Sequence, residues 1–434
     1  MRKRDEGTNL RSAVLFLLGL SGVAAACSLD VKSPGAILDE DLNDPNLMRV
    51  VATGVSAEFS DAVDVIAFTM ARLTDEMVGS GSYGDTGRLR RGIIESDDTN
   101  GEWEQTHEAA WSAESAIERF RSVLGDAAES SPFTARSFLF EGLGHRILGE
   151  VYCEVAYDAG PAEPKSGAFE RAITSFNNAL AAAQTPESDD YRIAAYGGMA
   201  QAYAGLDDWA SAAREAAKVP TDFVYNAIYN APENINEVND ETHGRPEMSA
   251  YKTLAATFDP PDPRAPYTIC GTLNSSNRVE TTGRCEHAQG ASGDHTPHFR
   301  QEKFDDLGSD IAVVKGTEMR LIEAEAALRN GDLATFTSKV NEARAHYGID
   351  PIAEPAAAGT LRDADPNDGW SILDRERWLT LWLEGRRLFD LHRWDHPFLE
   401  GGTLVDKYPP DGERASCFPI PSNECDLNPN LNCT

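Results

Sequence analysis

The sequence predicts a mainly α fold, a helical solenoid that carries one large irregular loop insertion. Three observations lead there. Apolar residues recur at three- and four-residue spacing over long stretches in both halves of the chain. A short pattern of small residues and a turn recurs at an offset of 124 residues. Between the two halves, residues 221–311 lose the helical rhythm and become dense in Pro, Gly, Asn and Asp, as in "FDPPDPRAPY" and "QGASGDHTPHF".

Taken in order, residues 1–26 read as an export signal. Arg2, Lys3, Arg4 and Arg11 precede an apolar run of 15 residues, too short to span a bilayer comfortably, that ends in small side chains. The "AAAC" at 24–27 resembles a bacterial lipoprotein box, which makes Cys27 the candidate lipidation site and the membrane attachment a lipid anchor. Residues 27–46 form a polar tether. An N-terminal helical scaffold follows over 47–220, with helices expected at 47–78, 102–124, 132–157, 168–183, 191–204 and 209–218. The insertion, 221–311, is the candidate ligand-binding region, and its Tyr225, Tyr229, Tyr251, Phe258, Tyr267 and Phe299 argue against plain disorder. Helices resume over 317–346 and 372–393 within a C-terminal section, 312–434.

The repeat pairs "AQAYAGLDDWA" (200–210) with "AEAALRNGDLA" (324–334), sharing Ala200/Ala324, Ala202/Ala326, Asp208/Asp332 and Ala210/Ala334. Each reads as a small-residue helix, a tight turn and the start of a second helix. Alanine lets two helix axes approach, and hairpins stacked in this way are tetratricopeptide-like.

Composition narrows function more than fold. The 71 acidic and 39 basic residues give a formal charge of −32, which argues against a nucleic-acid partner. Of seven cysteines, Cys270 and Cys285 close a short loop, and a pair among Cys417, Cys425 and Cys433 can staple the tail. Cys153 falls in a helical pattern and reads as a buried thiol; the connectivity stays open. "GSGSYG" (79–84) follows a helical pattern instead of a strand, so it is read as a loop and not as a dinucleotide site. "DADPNDGW" (363–370) has its glycine one place late for a calcium loop, and Ser371 with Asp374 reads as a capping box. Cys270, Cys285, His287, His295 and His298 fit no zinc spacing. No cofactor, metal or catalytic constellation is expected.

The segment "ERWLTLWLEGRRLFDLHRW" (376–394) mixes large apolar residues with charges. Read as one helix, it spaces Glu384, Arg387 and Asp390 so that one arginine lies between two carboxylates, a structural ion-pair network and not chemistry. Glu376, Arg377, Glu384, Gly385, Arg387, Asp390, Leu391, Arg393 and Trp394 also match the closing signature of the SusD/RagB family. "EMRLIEAEAALRNGD" (318–332), "FPIPSNECDLNPNL" (418–431) and "DPR" (262–264) are similar to further motifs of that family. The middle "E-L" of the signature is degraded at Thr380 and Leu381.

The resemblance implies a lipoprotein of the outer membrane, exposed at the cell surface, with a tetratricopeptide-like scaffold. Such proteins cover a TonB-dependent, SusC-like transporter, capture oligosaccharides or peptides, and have no enzymatic activity. Family ligand sites lie on loops with aromatic platforms. Here that points to Tyr83, Asp85 and Trp103 after the first helix, and to Tyr225, Tyr229, Tyr251 and Phe258 in the insertion. The alternatives are an envelope structural or adhesion scaffold and a surface polysaccharide hydrolase.

Overall fold

The computed structural model describes residues 39–431, apart from Ala364 and Asp411, together with Cys433. Cys27 and the signal segment lie outside the described residues. The longer helices are α1 (Met48–Leu73), α2 (Asn100–Leu124), α3 (Pro132–Val151), α4 (Ser166–Ala182), α5 (Asp189–Gly205) and α6 (Trp209–Ala216). After the insertion come α7 (Gly316–Arg329), α8 (Leu333–His346), α9 (Gly369–Leu381) and α10 (Arg387–Arg393). The fold is thus mainly helical, as the periodicity predicts, and its strands are short two-stranded ladders.

The sequence repeat is a structural repeat. Asp208 caps α6 by accepting from Ser211 N at 3.0 Å, and Asp332 caps α8 by accepting from Thr335 N at 3.0 Å. The preceding turns match as well: Asp207 has φ +58° and Gly331 φ +73°, again 124 positions apart. Asp208 N donates to Tyr203 O and Asp332 N to Ala327 O, so the same turn reverses both hairpins. Small residues do the rest. Ala200, Ala204, Ala212 and Ala216 pack with Met319 and Ile322 in one apolar cluster, and Leu321, Leu328, Phe336, Val340, Ile372 and Leu373 form another.

The insertion is woven into the scaffold. Its Ala227, Tyr229, Val238, Met248 and Phe304 belong to the same buried cluster as Phe59, Phe140 and Trp382. Two ladders stitch it in: Val78–Gly79 pairs antiparallel with Met248–Ser249, and Val224–Ala227 with Ile311–Lys315. Disulfides join Cys270 to Cys285 and Cys425 to Cys433. The third corrects the reading of Cys153, which pairs with Cys417 and ties the end of α3 to the tail.

The closing segment departs from its expected form. It is two helices, α9 and α10, separated at residues 382–386, where Leu383 and Gly385 take φ +61° and +67°. The break turns successive charges toward different neighbours. Glu384 accepts from Lys303 at 2.7 Å and Lys315 at 2.6 Å. Arg386 meets Glu150 at 2.9 Å and Glu318 at 3.1 Å. Arg387 grips Asp75 with two bonds of 2.7 Å and Asp374 with one of 2.5 Å. Asp390 pairs with Arg377 and Arg393, each at 2.8 Å. The expected Glu384–Arg387–Asp390 triad is therefore not formed, because the helix that would align it is broken. All three residues remain buried, and each is ion-paired to another part of the chain. Likewise α9 is capped by Asp368, which accepts from Ser371 N at 2.7 Å, and Asp374 serves Arg387 instead of a capping box.

Candidate functional site

A cleft of about 530 Å³ opens beside the C-terminal half of α1, the loop that follows it, and the start of α2. Its wall includes Phe68, Thr69 and Arg72 from α1, Tyr83, Gly84 and Asp85 from the loop, Asp97, Asp98, Gly101, Glu102 and Gln105 around the start of α2, and Glu237 from the insertion. A volume of this size and a mixed aromatic and polar wall are the ordinary features of a ligand site.

The sequence builds this wall by fastening the loop to the insertion. Glu247 is fully buried, and its carboxylate accepts from Ser82 N at 2.8 Å, Ser82 Oγ at 3.1 Å and Arg245 at 3.0 Å. A Cβ on Gly81 would stand 1.7 Å from Glu247 Oε2 and 2.9 Å from its Cα, so only glycine lets the two segments approach. Tyr83 is then held at the mouth. Its hydroxyl donates to Glu241 at 2.7 Å and accepts from Arg245 at 2.8 Å, whose guanidinium lies 4.5 Å over the ring. Burial, then the bond to Glu241, pushes the Tyr83 hydroxyl up to about 12, so it stays a neutral donor. Beside it Phe68 meets the Tyr83 ring edge-on, and Arg72 lies 3.9 Å over Phe68 and pairs with Asp85 at 3.0 Å.

The cleft is acidic. Glu102 accepts the Thr69 hydroxyl at 2.6 Å, and Asp98 pairs with Arg88. Burial, then Glu241, raises Glu237 to about 7; burial also raises Glu102, and both burial and Glu237 raise Asp64 behind it. Gln105 Oε1 and Glu241 Oε2 are buried and have no hydrogen-bond partner.

Of the residues singled out from the sequence, Tyr83 and Asp85 line this cleft. Trp103 does not: it is 6% exposed and packs edge-on against Tyr152 in the core. Tyr229 is buried and donates to Ser60 O at 2.7 Å, and Tyr225 packs against Phe140 and Tyr191. Tyr251 and Phe258 stand apart from the cleft, in a group where Phe299 stacks on Tyr267, Tyr251 meets Phe299 edge-on, and Phe258 O accepts the Tyr267 hydroxyl. Sequence reasoning missed Phe68, Arg72 and Glu102, which sit in helical patterns that read as scaffold. It also missed Glu237, for which nothing local gave a signal.

Two other cavities differ in kind. One of about 560 Å³ beside Cys153 and the Cys425–Cys433 bridge has no aromatic ring in its wall. One of about 350 Å³ is lined by Trp370, Trp394, Arg329, Arg362 and Arg393. There the polar groups are already engaged, Trp394 Nε1 and Arg329 by Glu325 and Arg362 by Asp395. Among the described residues no group of three or more His, Cys, Asp or Glu is placed to hold a metal, and no helix is long and apolar enough to cross a membrane.

Residues 307–433 match the sequence profile of the SusD family. That match covers the C-terminal part of the chain, including the closing segment and the tail. Solved structures of SusD-like proteins share its fold across nearly their whole length. A SusD-like carbohydrate binding protein from Bacteroides fragilis NCTC 9343 superposes with a TM-score of 0.64 at 14% identity, covering 90% of this chain and 99% of its own. One from Bacteroides vulgatus ATCC 8482 gives 0.64 at 14% identity, with 89% and 97% covered. A laminarin binding SusD-like protein gives 0.59 at 13% identity, with 89% and 98% covered. No curated protein sequence matches the chain.

Proposed function

We propose that this protein is a member of the SusD family and a cell-surface receptor that captures a glycan in the cleft between α1, its following loop and Glu237, and delivers it to a TonB-dependent outer-membrane transporter. The observation that carries the reading is the cleft itself. Two aromatic rings, a guanidinium and several carboxylates converge on one cavity, and aromatic faces with planar polar groups suit the alternating apolar and hydroxyl surfaces of a sugar ring. The names of the SusD-like neighbours, two carbohydrate binding and one laminarin binding, support the same ligand class. Attachment through a lipidated Cys27 belongs to this proposal.

The charged closing segment supports a receptor over a hydrolase. Its carboxylates and guanidiniums are consumed in pairs that hold the scaffold, so they are not available for acid–base chemistry. A glycan array probed with the intact protein tests the reading, together with affinity purification from detergent-solubilised outer membrane. Glycan binding that Tyr83→Ala weakens at least tenfold, and co-purification of a large TonB-dependent barrel, are the expected results. Turnover of a polysaccharide, or binding unaffected by Tyr83→Ala, would contradict it.

A further inference from the structure

The cleft's charge names the kind of glycan it takes. Five carboxylates, those of Asp85, Asp97, Asp98, Glu102 and Glu237, line it against the single guanidinium of Arg72. Arg72 is 3% exposed and already committed to Asp85 and to the Phe68 ring, so it has little to offer an acidic ligand. Asp98 is held by Arg88. Asp97 is exposed at the mouth, and Glu102 adds to the rise in Glu237's proton affinity after burial and Glu241 have acted. Behind them, Glu241 is 6% exposed, keeps one oxygen on Tyr83 and has no partner for the other, and Gln105 Oε1 is also buried and unpartnered. The unmet groups are thus all acceptors or anions. A carboxylate or sulfate on the ligand would meet a wall of net negative charge, whereas an ammonium brings three donors and the opposite charge.

We propose that the cleft selects amine-bearing saccharides, with the sugar's ammonium set between Asp97, Glu102 and Glu237. The proposal rests on the receptor reading above and refines its ligand. An apolar C–H face of the sugar would lie against Tyr83, and the ammonium would turn toward the acids on the α2 side.

The test is a panel of matched oligosaccharides in three forms of the same linkage, uncharged, amine-bearing and uronic, titrated against the intact protein at low and physiological salt. The amine-bearing form should bind at least tenfold more tightly than its uncharged counterpart, and the difference should shrink as salt rises. Asp97→Asn, at an exposed position that does not threaten folding, and Glu237→Gln should each narrow that difference by weakening the amine-bearing form more than the uncharged one. Equal affinity for the two forms, tighter binding of the uronic form, or a preference untouched by both substitutions would overturn the proposal and leave the receptor reading standing. A panel in which no saccharide binds, or in which only lysine-bearing peptides do, would overturn both.

Discussion

Replacing Arg387 with alanine removes a cation that is 4% exposed and is shared by two carboxylates from distant parts of the chain. Asp75 loses two bonds of 2.7 Å and keeps the Trp378 indole at 3.2 Å; Asp374 loses one of 2.5 Å and keeps His396 at 3.3 Å. Both acids are less than a quarter exposed, so breaking the pair should cost about 3–5 kcal/mol. With an unfolding entropy of about 2.1 cal/mol/K per residue, that is a Tm lower by roughly 4–6 °C for a chain of this size. Arg121→Ala is the control, since Arg121 and Glu129 are at least half exposed and the pair should be worth under about 1 kcal/mol. The pH dependence adds a second check. Burial alone would raise Asp374, but Arg387 and then His396 outweigh it and hold its carboxyl well below the usual range. That stabilisation is present above the unfolded value of 3.8 and is lost as pH falls below it, so the gap between wild type and Arg387→Ala should narrow in acid. Denaturant titrations at pH 7 and pH 3.5 measure both quantities. A loss no larger than that of Arg121→Ala, or a gap that widens in acid, would refute the reasoning.

Three further outcomes are expected. Burial raises Glu76 to about 8, so its favourable protonated state is fully present below 4.5 and gone once pH passes 8; Glu76→Gln should therefore gain stability over wild type, by up to about 5 kcal/mol, between pH 5 and pH 8.5 in chemical denaturation. Cys153→Ala/Cys417→Ala opens a loop spanning 264 residues and should lower stability by up to about 6 kcal/mol on chain-entropy grounds, measured against wild type under oxidising conditions. Tyr229→Phe should cost about 1 kcal/mol by removing the hydroxyl's bond to Ser60 O and should leave glycan affinity unchanged in calorimetry, as befits a core residue.

Much of the scaffold was legible because local patterns specify it. Three- and four-residue periodicity located the helices, overrunning the ends of α1 and α3, and the 124-residue repeat matched Asp208 with Asp332, which the structure shows to be paired caps. The break at 382–386 was not legible. "LWLEGRRL" has helical spacing, and Gly385 was its one local sign of a positive φ. What enforces the break is long-range: Glu76 accepts Leu383 N at 2.7 Å, and Asp75, Glu150 and Lys315 draw Arg387, Arg386 and Glu384 in different directions. The same limit explains the site. Tyr83 and Asp85 lie in a loop that announces itself, whereas Trp103 and Tyr229 have identical side-chain chemistry to platform residues and are distinguished only by the core that covers them. Cys153 was misread for a related reason, since its partner lies 264 residues away.

Amide hydrogen exchange of the intact protein, with and without a saturating amine-bearing oligosaccharide, tests the central claim most directly. Ligand-dependent protection should appear together in residues 68–72, 80–105 and 237–247, the three segments that form and support the cleft. Protection confined to 360–395 or to 419–433, where the two other cavities lie, would contradict the account.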